Sequence, residues 1–395
     1  MRHWTAERLC SQRDSVFEAT NALARRYGAV NLGSGTPDRP VPDCMRAAVD
    51  EAVAGGHNRY APVQGEGVLR AAVAAHAARF YGQEVDPAAE VSITSGVTEA
   101  LHAAVFSFVD PGDEVIVFEP FYDCYVPSIR MAGGIPVAVT LRAPSFRFDP
   151  QELRAAFSPR TKALILNTPH NPTGTVFSRD ELTLIAELCQ EFDVLAITDE
   201  VYEHIVFDGG EHVRLATLPG MWERTLTLGG AGKTFSCTGW RIGWAIGPAP
   251  LQEALCRLRQ FTVYAAPTPL QLAVAAGLRS PGSYYSQLAA DYQARRDFMV
   301  DTLAACGLNP TRPAGSFFIL ADVSSFLTAG GRAFCNELAR NVGVVPVPTD
   351  TFYIHRRHGE RIVRFTFCLR SETLERAAER LGKLQTVCGA GRRSR

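Results

Sequence analysis

Lysine is scarce in this sequence. Among 395 residues, 40 are lysine or arginine, and only Lys162, Lys233 and Lys383 are lysine. An arginine guanidinium stays protonated in proteins, whereas a lysine amine with a lowered pKa can act as a nucleophile or a base. The few lysines are therefore candidates for chemistry, although chance explains any one of them taken alone.

The sequence also has no large excess of positive or negative charge and no long apolar run. The formal net charge is -1, which indicates no basic surface for nucleic acid or an anionic membrane. No apolar run approaches a membrane span of about 20 residues, and the first residues lack the apolar core of a signal peptide. The ten cysteines show neither CxxC nor zinc-finger spacing. We expect a cytoplasmic protein with reduced thiols, no metal site, and no nucleic-acid or membrane partner.

Short β-rich runs alternate with helical segments between residues 91 and 247. The runs are VSITS, EVIVFE, IPVAVT, KALILN, DVLAITD, TLTLGG and IGWAIG. This alternation predicts an α/β domain with a mostly parallel central sheet flanked by helices. Asp149 with Glu152, and Ser178 with Glu181, have the spacing of capping boxes and predict two helix starts.

The C-terminal part has a different pattern. SFFILADV, a helical run from 331, RIVRFTF and SETLERAAERLGKLQ predict a smaller α+β domain. The expected organisation is an N-terminal segment at 1–44 that contributes to the small domain and the site, a large domain at 45–285, and a small C-terminal domain at 286–395.

Polar motifs follow several of the predicted strands. SGVT, NTPHNPTG, TDEVYE and GKTF lie at strand ends, where ligands of open parallel sheets bind. Each has an ordinary explanation as a turn or a helix cap. Together they supply an amine, a carboxylate, a phenol, an amide and a helix start that suits a phosphate, which is the set of groups that pyridoxal 5'-phosphate (PLP) requires.

The sequence resembles the class I/II aminotransferases of PLP fold type I, and within them the kynurenine, glutamine and methionine aminotransferase group. The resemblance runs through VNLGSGTPD, NRYAPVQGEGVLR, TSGVTEAL, FEPFYDCY, NTPHNPTG, TDEVYE, GKTFSCTGWRIGW and RIVRFTF. It implies a large PLP-binding domain, a smaller α+β domain, and a homodimer with shared active sites.

By this resemblance, Lys233 forms the Schiff base with PLP and moves the substrate proton, Asp199 pairs with the ring nitrogen, and Tyr202 contacts the ring oxygen. These three are the catalytic candidates. The full cofactor-binding set that the resemblance implies is Gly96, Val97, Thr98, Tyr122, Asn171, Asp199, Tyr202, Lys233, Arg241 and, across the dimer, Tyr60 of the partner subunit.

The resemblance also implies a substrate site. Arg364 matches the arginine that binds the α-carboxylate. The other expected substrate contacts are Gly35, Asn171, Phe17 and Tyr264 of the partner subunit. The run from His355 to His358 either faces the site or is solvated, and we favour solvation. Gly230 departs from the serine that relatives usually have there, which removes one hydroxyl contact to the phosphate.

The function that these residues imply is two-stage transamination. An L-amino acid, with an apolar, aromatic or extended side chain, donates its amino group to a 2-oxo acid. A C–S β-lyase or another PLP-dependent elimination would use the same residues. A non-catalytic PLP-binding regulatory module is a further alternative, which the absence of a basic patch disfavours.

Overall fold

The computed structural model describes residues 4–10, 15–326 and 330–384. The helices are α1 Glu7–Cys10, α2 Val16–Tyr27, α3 Asp43–Ala54, α4 Gly67–Tyr81, α5 Val97–Phe108, α6 Tyr125–Met131, α7 Pro150–Ala155, α8 Arg179–Glu191, α9 Ala231–Thr234, α10 Ala249–Arg259, α11 Thr268–Leu278, α12 Gly282–Ala305, α13 Gly331–Asn341 and α14 Ser371–Leu381. The strands are β1 Val30–Asn31, β2 Val91–Thr94, β3 Glu114–Glu119, β4 Ile135–Thr140, β5 Thr161–Asn167, β6 Leu195–Asp199, β7 Thr225–Gly230, β8 Gly243–Ile246, β9 Asn309–Pro310, β10 Phe318–Asp322, β11 Val344–Val345, β12 Val347–Pro348 and β13 Ile362–Thr366.

The large sheet has seven strands in the order β2-β8-β7-β6-β5-β3-β4. Strands β4, β3, β5, β6 and β7 are parallel, and β8 is antiparallel to both β7 and β2. All seven predicted strands of this region are present, and the mostly parallel sheet is confirmed. Apolar side chains from β3, β5 and β6 are buried on both faces, as a sheet covered by helices requires.

The C-terminal part contains a four-stranded antiparallel sheet in the order β12-β13-β10-β9. The N-terminal chain joins this part, because β1 pairs in parallel with β11. The core under the sheet includes Phe317, Phe365 and Phe367, which are fully buried. The smaller α+β unit is therefore built from both ends of the described chain.

Both predicted helix starts are confirmed. The Ser178 side chain accepts a hydrogen bond from the Glu181 amide, and the Glu181 side chain accepts one from the Ser178 amide, so the capping box is complete. Asp149 caps α7 by accepting from two amides. The Glu152 side chain accepts from the Thr140 amide, at 3.1 Å, so this carboxylate also links α7 to β4.

Three strands of the large sheet end side by side. Asn167 of β5 lies opposite Asp199 of β6, and Asp199 lies opposite Leu228 of β7. Lys233 follows β7 within the short helix α9. Since parallel strands share one carboxyl edge, the polar residues that follow them converge there.

Within the described ranges, no helix is both long enough and apolar enough to cross a membrane.

Candidate active site

Twelve of the fourteen predicted site residues line one cavity of about 310 Å³ at the carboxyl edge of the large sheet. They are Phe17, Gly35, Gly96, Val97, Thr98, Tyr122, Asn171, Asp199, Tyr202, Lys233, Arg241 and Arg364. These residues come from the N-terminal segment, the large sheet and β13, so only the folded chain brings them together.

The Lys233 amine points into this cavity. Its Nζ donates a hydrogen bond to the carbonyl oxygen of Gly35, at 2.6 Å. Burial lowers the lysine pKa to about 8, and the charges of Arg364 and Arg241 act in the same direction. An amine with this pKa is unprotonated in a large fraction of molecules near pH 8, which suits a nucleophile or a base.

Asp199 is buried at the end of β6 with a hydrogen bond to each carboxylate oxygen. Oδ2 accepts from the Tyr125 hydroxyl at 2.6 Å, and Oδ1 accepts from the Val201 amide at 3.3 Å. Burial raises the Asp199 pKa to about 6. No ion pair joins Asp199 to any residue that the structure describes, so this carboxylate can receive a protonated ring nitrogen.

The phenol of Tyr202 is buried in the same cavity. Its ring meets the Phe317 ring edge-on, with centroids 5.1 Å apart. Burial raises the Tyr202 pKa well above its ordinary value, so the hydroxyl remains protonated and can donate a hydrogen bond.

Arg364 is buried on β13 and is only partly satisfied. Nη1 donates to Asn171 Oδ1 and Nη2 to the Gly33 carbonyl oxygen, both at 2.8 Å. Nε has no hydrogen-bond partner among the described residues. The guanidinium lies 4.0 Å from the ring centroid of Phe318 and 5.0 Å from that of Phe17. A buried cation with a free donor and aromatic walls is suited to a carboxylate.

Gly96 directly precedes α5 and lies against Arg241. Its φ is +80°, and a Cβ there would lie 2.7 Å from Arg241 Nη2. Only glycine therefore allows this close approach and this backbone conformation. The first intrahelical bond is donated by Ala100, so the preceding amides are available to an anion.

An ion pair between the partly buried Glu99 and the fully buried Arg259 supports this helix start. Glu99 Oε2 accepts from the Ser95 amide at 2.8 Å, and its Oε1 accepts from Arg259 Nε at 2.9 Å. Arg259 is fully buried, and its Nη1 also donates to the Val63 carbonyl oxygen at 3.0 Å. Arg259 thus links the helix start to the segment that carries Tyr60.

Gly230 lies at the end of β7 and lines the cavity. Its backbone is extended, a conformation open to any residue. A Cβ at position 230 would lie 3.0 Å from Val97 Cγ2. The valine methyl therefore leaves little room for a side chain at this position.

Tyr60 and Tyr264 do not line the cavity of their own chain. Tyr60 is 88% exposed and Tyr264 is 43% exposed. The two rings form an edge-to-face pair with centroids 5.5 Å apart. This position outside the cavity is compatible with the expectation that they belong to a neighbouring site.

The residues from His355 to His358 were expected either to face the site or to be solvated, and the structure shows some of each. His355 and Arg357 are exposed. Arg356 lines a second cavity of about 910 Å³, which shares Phe17 and Tyr122 with the first. Solvation therefore describes only part of this loop.

The sequence interpretation missed several polar partners. Tyr125 lies within the quoted EPFYDCY motif, where it begins α6 and donates to Asp199. Asn167 donates from Nδ2 to the Asp199 carbonyl oxygen and accepts at Oδ1 from the Asn171 amide. Glu99 and Arg259 are 160 positions apart, and no local pattern connects them.

A model of the family "Aminotransferase class I and II" matches residues 27–381. The chain belongs to this aminotransferase family. It is 42% identical over 394 residues to human kynurenine–oxoglutarate transaminase 1, covering 91% of this chain and 93% of that protein.

Two solved aminotransferases have nearly the same fold. N-Succinyldiaminopimelate aminotransferase from Mycobacterium tuberculosis is 43% identical with a TM-score of 0.93, and the match covers 96% of this chain and 100% of the other. An Escherichia coli protein with a methionine aminotransferase function is 36% identical with a TM-score of 0.93, covering 97% and 100%. Class I/II aminotransferases are PLP-dependent, so this chain is a PLP-dependent aminotransferase. Its relatives do not favour the elimination or regulatory alternatives.

The cavity of this aminotransferase fits PLP on three observations. The Asp199 carboxylate is buried without an ion pair among the described residues, which suits a protonated pyridine nitrogen. The start of α5 beside Arg241 suits a phosphate. The Lys233 amine, with its lowered pKa, suits an aldehyde.

Proposed function

We propose that this aminotransferase takes amino groups from L-amino acids with apolar, aromatic or extended side chains and delivers them to 2-oxo acids. PLP, when bound, supplies a ring that withdraws electrons from the substrate Cα. Lys233 would hold the cofactor covalently and, once the substrate amine has released it, would remove the proton from Cα. The same amine would return a proton in the second half of the cycle.

The observation that carries this proposal is the buried Arg364 guanidinium, which lines the same cavity as the Lys233 amine. A guanidinium that already donates to Asn171 and Gly33 has its orientation fixed. It would hold the α-carboxylate of both the amino acid and the oxo acid. Asp199 would keep the ring nitrogen protonated, and Tyr202 and Asn171 would contact the ring oxygen.

The aromatic walls support the proposed side-chain class. Phe17 lies near both Tyr122 and Phe352, with ring centroids 6.3 and 6.0 Å away. These rings present apolar surface next to the Arg364 guanidinium. Kynurenine and methionine, which the names of two relatives contain, are therefore the first amino acids to test.

A half-reaction screen tests this function. The purified holoenzyme is mixed with one amino acid at a time, and the absorbance of the bound cofactor is followed as the amino group is transferred. Aromatic and thioether amino acids should convert the cofactor faster than aspartate, and adding a 2-oxo acid should restore the starting spectrum. Release of pyruvate and ammonia without an acceptor would contradict transamination as the main reaction.

We further propose a cytoplasmic homodimer in which Tyr60 and Tyr264 complete the site of the partner subunit. A large exposed aromatic pair is typical of a protein interface. Arg259, which bonds to the Val63 carbonyl oxygen near Tyr60, would place this segment.

A hybrid dimer tests the shared site. Lys233→Ala and Tyr60→Ala chains are co-expressed with different tags, and the hybrid is purified through both. If the sites are shared, one site of the hybrid has both lesions and the other has neither, so about half of the wild-type activity should appear. A hybrid no more active than half the Tyr60→Ala homodimer would refute sharing.

A further inference from the structure

A cluster of histidine and glutamate lies outside the cavity and takes no part in the proposed reaction. His76 is in α4, and Glu203 and His204 follow Tyr202 in the segment after β6. Their ligand atoms all lie within 4.8 Å of one another. His76 and Glu203 are buried and His204 is partly exposed, so the cluster is enclosed but open to solvent on one side.

The two imidazoles face each other directly. Their Nε2 atoms are 2.7 Å apart, and the ring planes are perpendicular. Phe80 and Tyr285 pack against the His204 ring, with centroids 4.7 and 4.3 Å away. Aromatic contacts therefore hold the rings in place, and the two Nε2 atoms share a hydrogen bond.

Two carboxylates and one guanidinium lie close to the two imidazoles. Glu200 and Glu203 share the buried guanidinium of Arg214, whose Nε lies 3.2 Å from Glu200 and whose Nη2 lies 2.7 Å from Glu203. His212 Nε2 also lies 3.0 Å from Glu200. Glu203 is therefore held by Arg214 while its carboxylate lies beside both imidazoles.

We propose that His76, Glu203 and His204 bind a divalent transition-metal ion, Zn²⁺ in particular. Two imidazole nitrogens and one carboxylate oxygen form a common three-ligand set for zinc, with water at the fourth position. The partly exposed side of His204 gives access to that water.

The geometry requires only local movement. Ligand atoms in a tetrahedral zinc site with ordinary bond lengths are about 3.4 Å apart. The imidazole nitrogens must therefore separate slightly and the Glu203 carboxylate must approach them. Glu203 Oε2 can stay bonded to Arg214, and the ion would compete with the Tyr81 hydroxyl, which also bonds to this carboxylate. The ion would then join α4 to the residues directly after Tyr202, and so would fix the segment that carries Asp199 and Tyr202.

Zinc titration of the holoenzyme tests this site. The protein is dialysed against EDTA, returned to metal-free buffer and titrated with ZnCl₂ by calorimetry, with the stoichiometry measured by equilibrium dialysis. One ion per chain should bind, and the melting temperature should rise with Zn²⁺ concentration. His204→Gln and His76→Gln should each weaken zinc binding by more than about 100-fold. Loss of a residue that only hydrogen-bonds to a metal ligand costs about 10–100-fold, and loss of a ligand costs more.

The exposed His57 supplies the matched control, and His57→Gln should bind zinc as the wild type does. All variants carry PLP, so any zinc that binds to the cofactor itself is the same in each variant and does not affect the comparison. Co²⁺ bound to the wild type should give the visible bands of a tetrahedral site, a readout that needs no variant to fold. The proposal is overturned if the wild type takes up no zinc, or if folded His204→Gln and His76→Gln bind it unchanged, since the histidines then form only a hydrogen-bonded pair.

Discussion

The predicted site has an inner part, whose residues line the cavity, and an outer part, the exposed Tyr60 and Tyr264. One chain supplies all the contacts of the inner part but not those of the outer part. Asp199, Asn171 and Arg364 are at least 95% buried and make hydrogen bonds within the chain. Tyr60 and Tyr264 are exposed and contact each other. The inner groups are thus held rigidly by the fold, whereas the outer aromatic pair has its free surface available for another subunit. Turnover or substrate binding should fail when an inner residue changes, and cofactor affinity should weaken when the support of the outer part changes.

The largest effect is expected for Lys233→Ala. Loss of the amine removes the base, and general base catalysis contributes about 10²–10⁴-fold, so kcat should fall by at least about 10²-fold. The cofactor should still bind, because Asp199 and the start of α5 remain. Turnover is measured with the best amino acid from the screen, and cofactor content by absorbance.

The other two lysines provide controls for this variant. Lys162 and Lys383 are exposed, and Lys162→Arg and Lys383→Arg should turn over normally. Normal turnover by Lys233→Ala would refute the role proposed for this amine.

A smaller loss is expected for Arg364→Lys. The ammonium keeps the charge but cannot donate to Asn171, to Gly33 and to a substrate carboxylate with the same planar fork. A charge-assisted hydrogen bond contributes about 1.5–3 kcal/mol, so KM for the amino acid should rise about 10–100-fold. Steady-state kinetics with an amino acid and with its amine analogue lacking the carboxylate separates the effects. Equal losses for both compounds would mean that Arg364 does not bind the carboxylate.

Arg259→Lys should act on the cofactor rather than on the chemistry. A lysine cannot bond to both Glu99 and the Val63 carbonyl oxygen in the same geometry, so the start of α5 and the Tyr60 segment lose their common support. We expect PLP affinity to fall about tenfold, with little change in kcat at saturating cofactor. Affinity is measured by fluorescence titration of the apoenzyme.

Arg296→Lys is the matched control for that experiment. Arg296 is also fully buried, and it bonds to Asp208 and Asp297. Its replacement should lower the melting temperature without changing PLP affinity. If both variants lose stability and PLP affinity alike, Arg259 supports only the fold.

Much of the inner site could be predicted because its residues lie in local patterns. Asp199 ends an apolar strand, and Lys233 follows one within a few residues, so strand periodicity alone places both at one edge. The support behind them could not be predicted in this way. Arg259 meets Glu99 only because α10 and α5 pack together, and Tyr125 reaches Asp199 across 74 positions. Such pairs depend on the tertiary packing, which a single sequence does not encode in any short motif.

The smallest effect concerns Gly230 and Val97. A serine at 230 could offer a hydroxyl to the phosphate, but its Cβ would meet the Val97 methyl at 3.0 Å, so Gly230→Ser alone should change PLP affinity by less than about threefold. Val97→Ala removes that methyl, and the double variant should gain one hydrogen bond, about 1 kcal/mol or roughly fivefold in affinity. Titration of the four apoenzymes, wild type, each single variant and the double, measures the coupling. If Gly230→Ser alone binds PLP as tightly as the double variant, then Val97 is not what keeps a side chain out of this position.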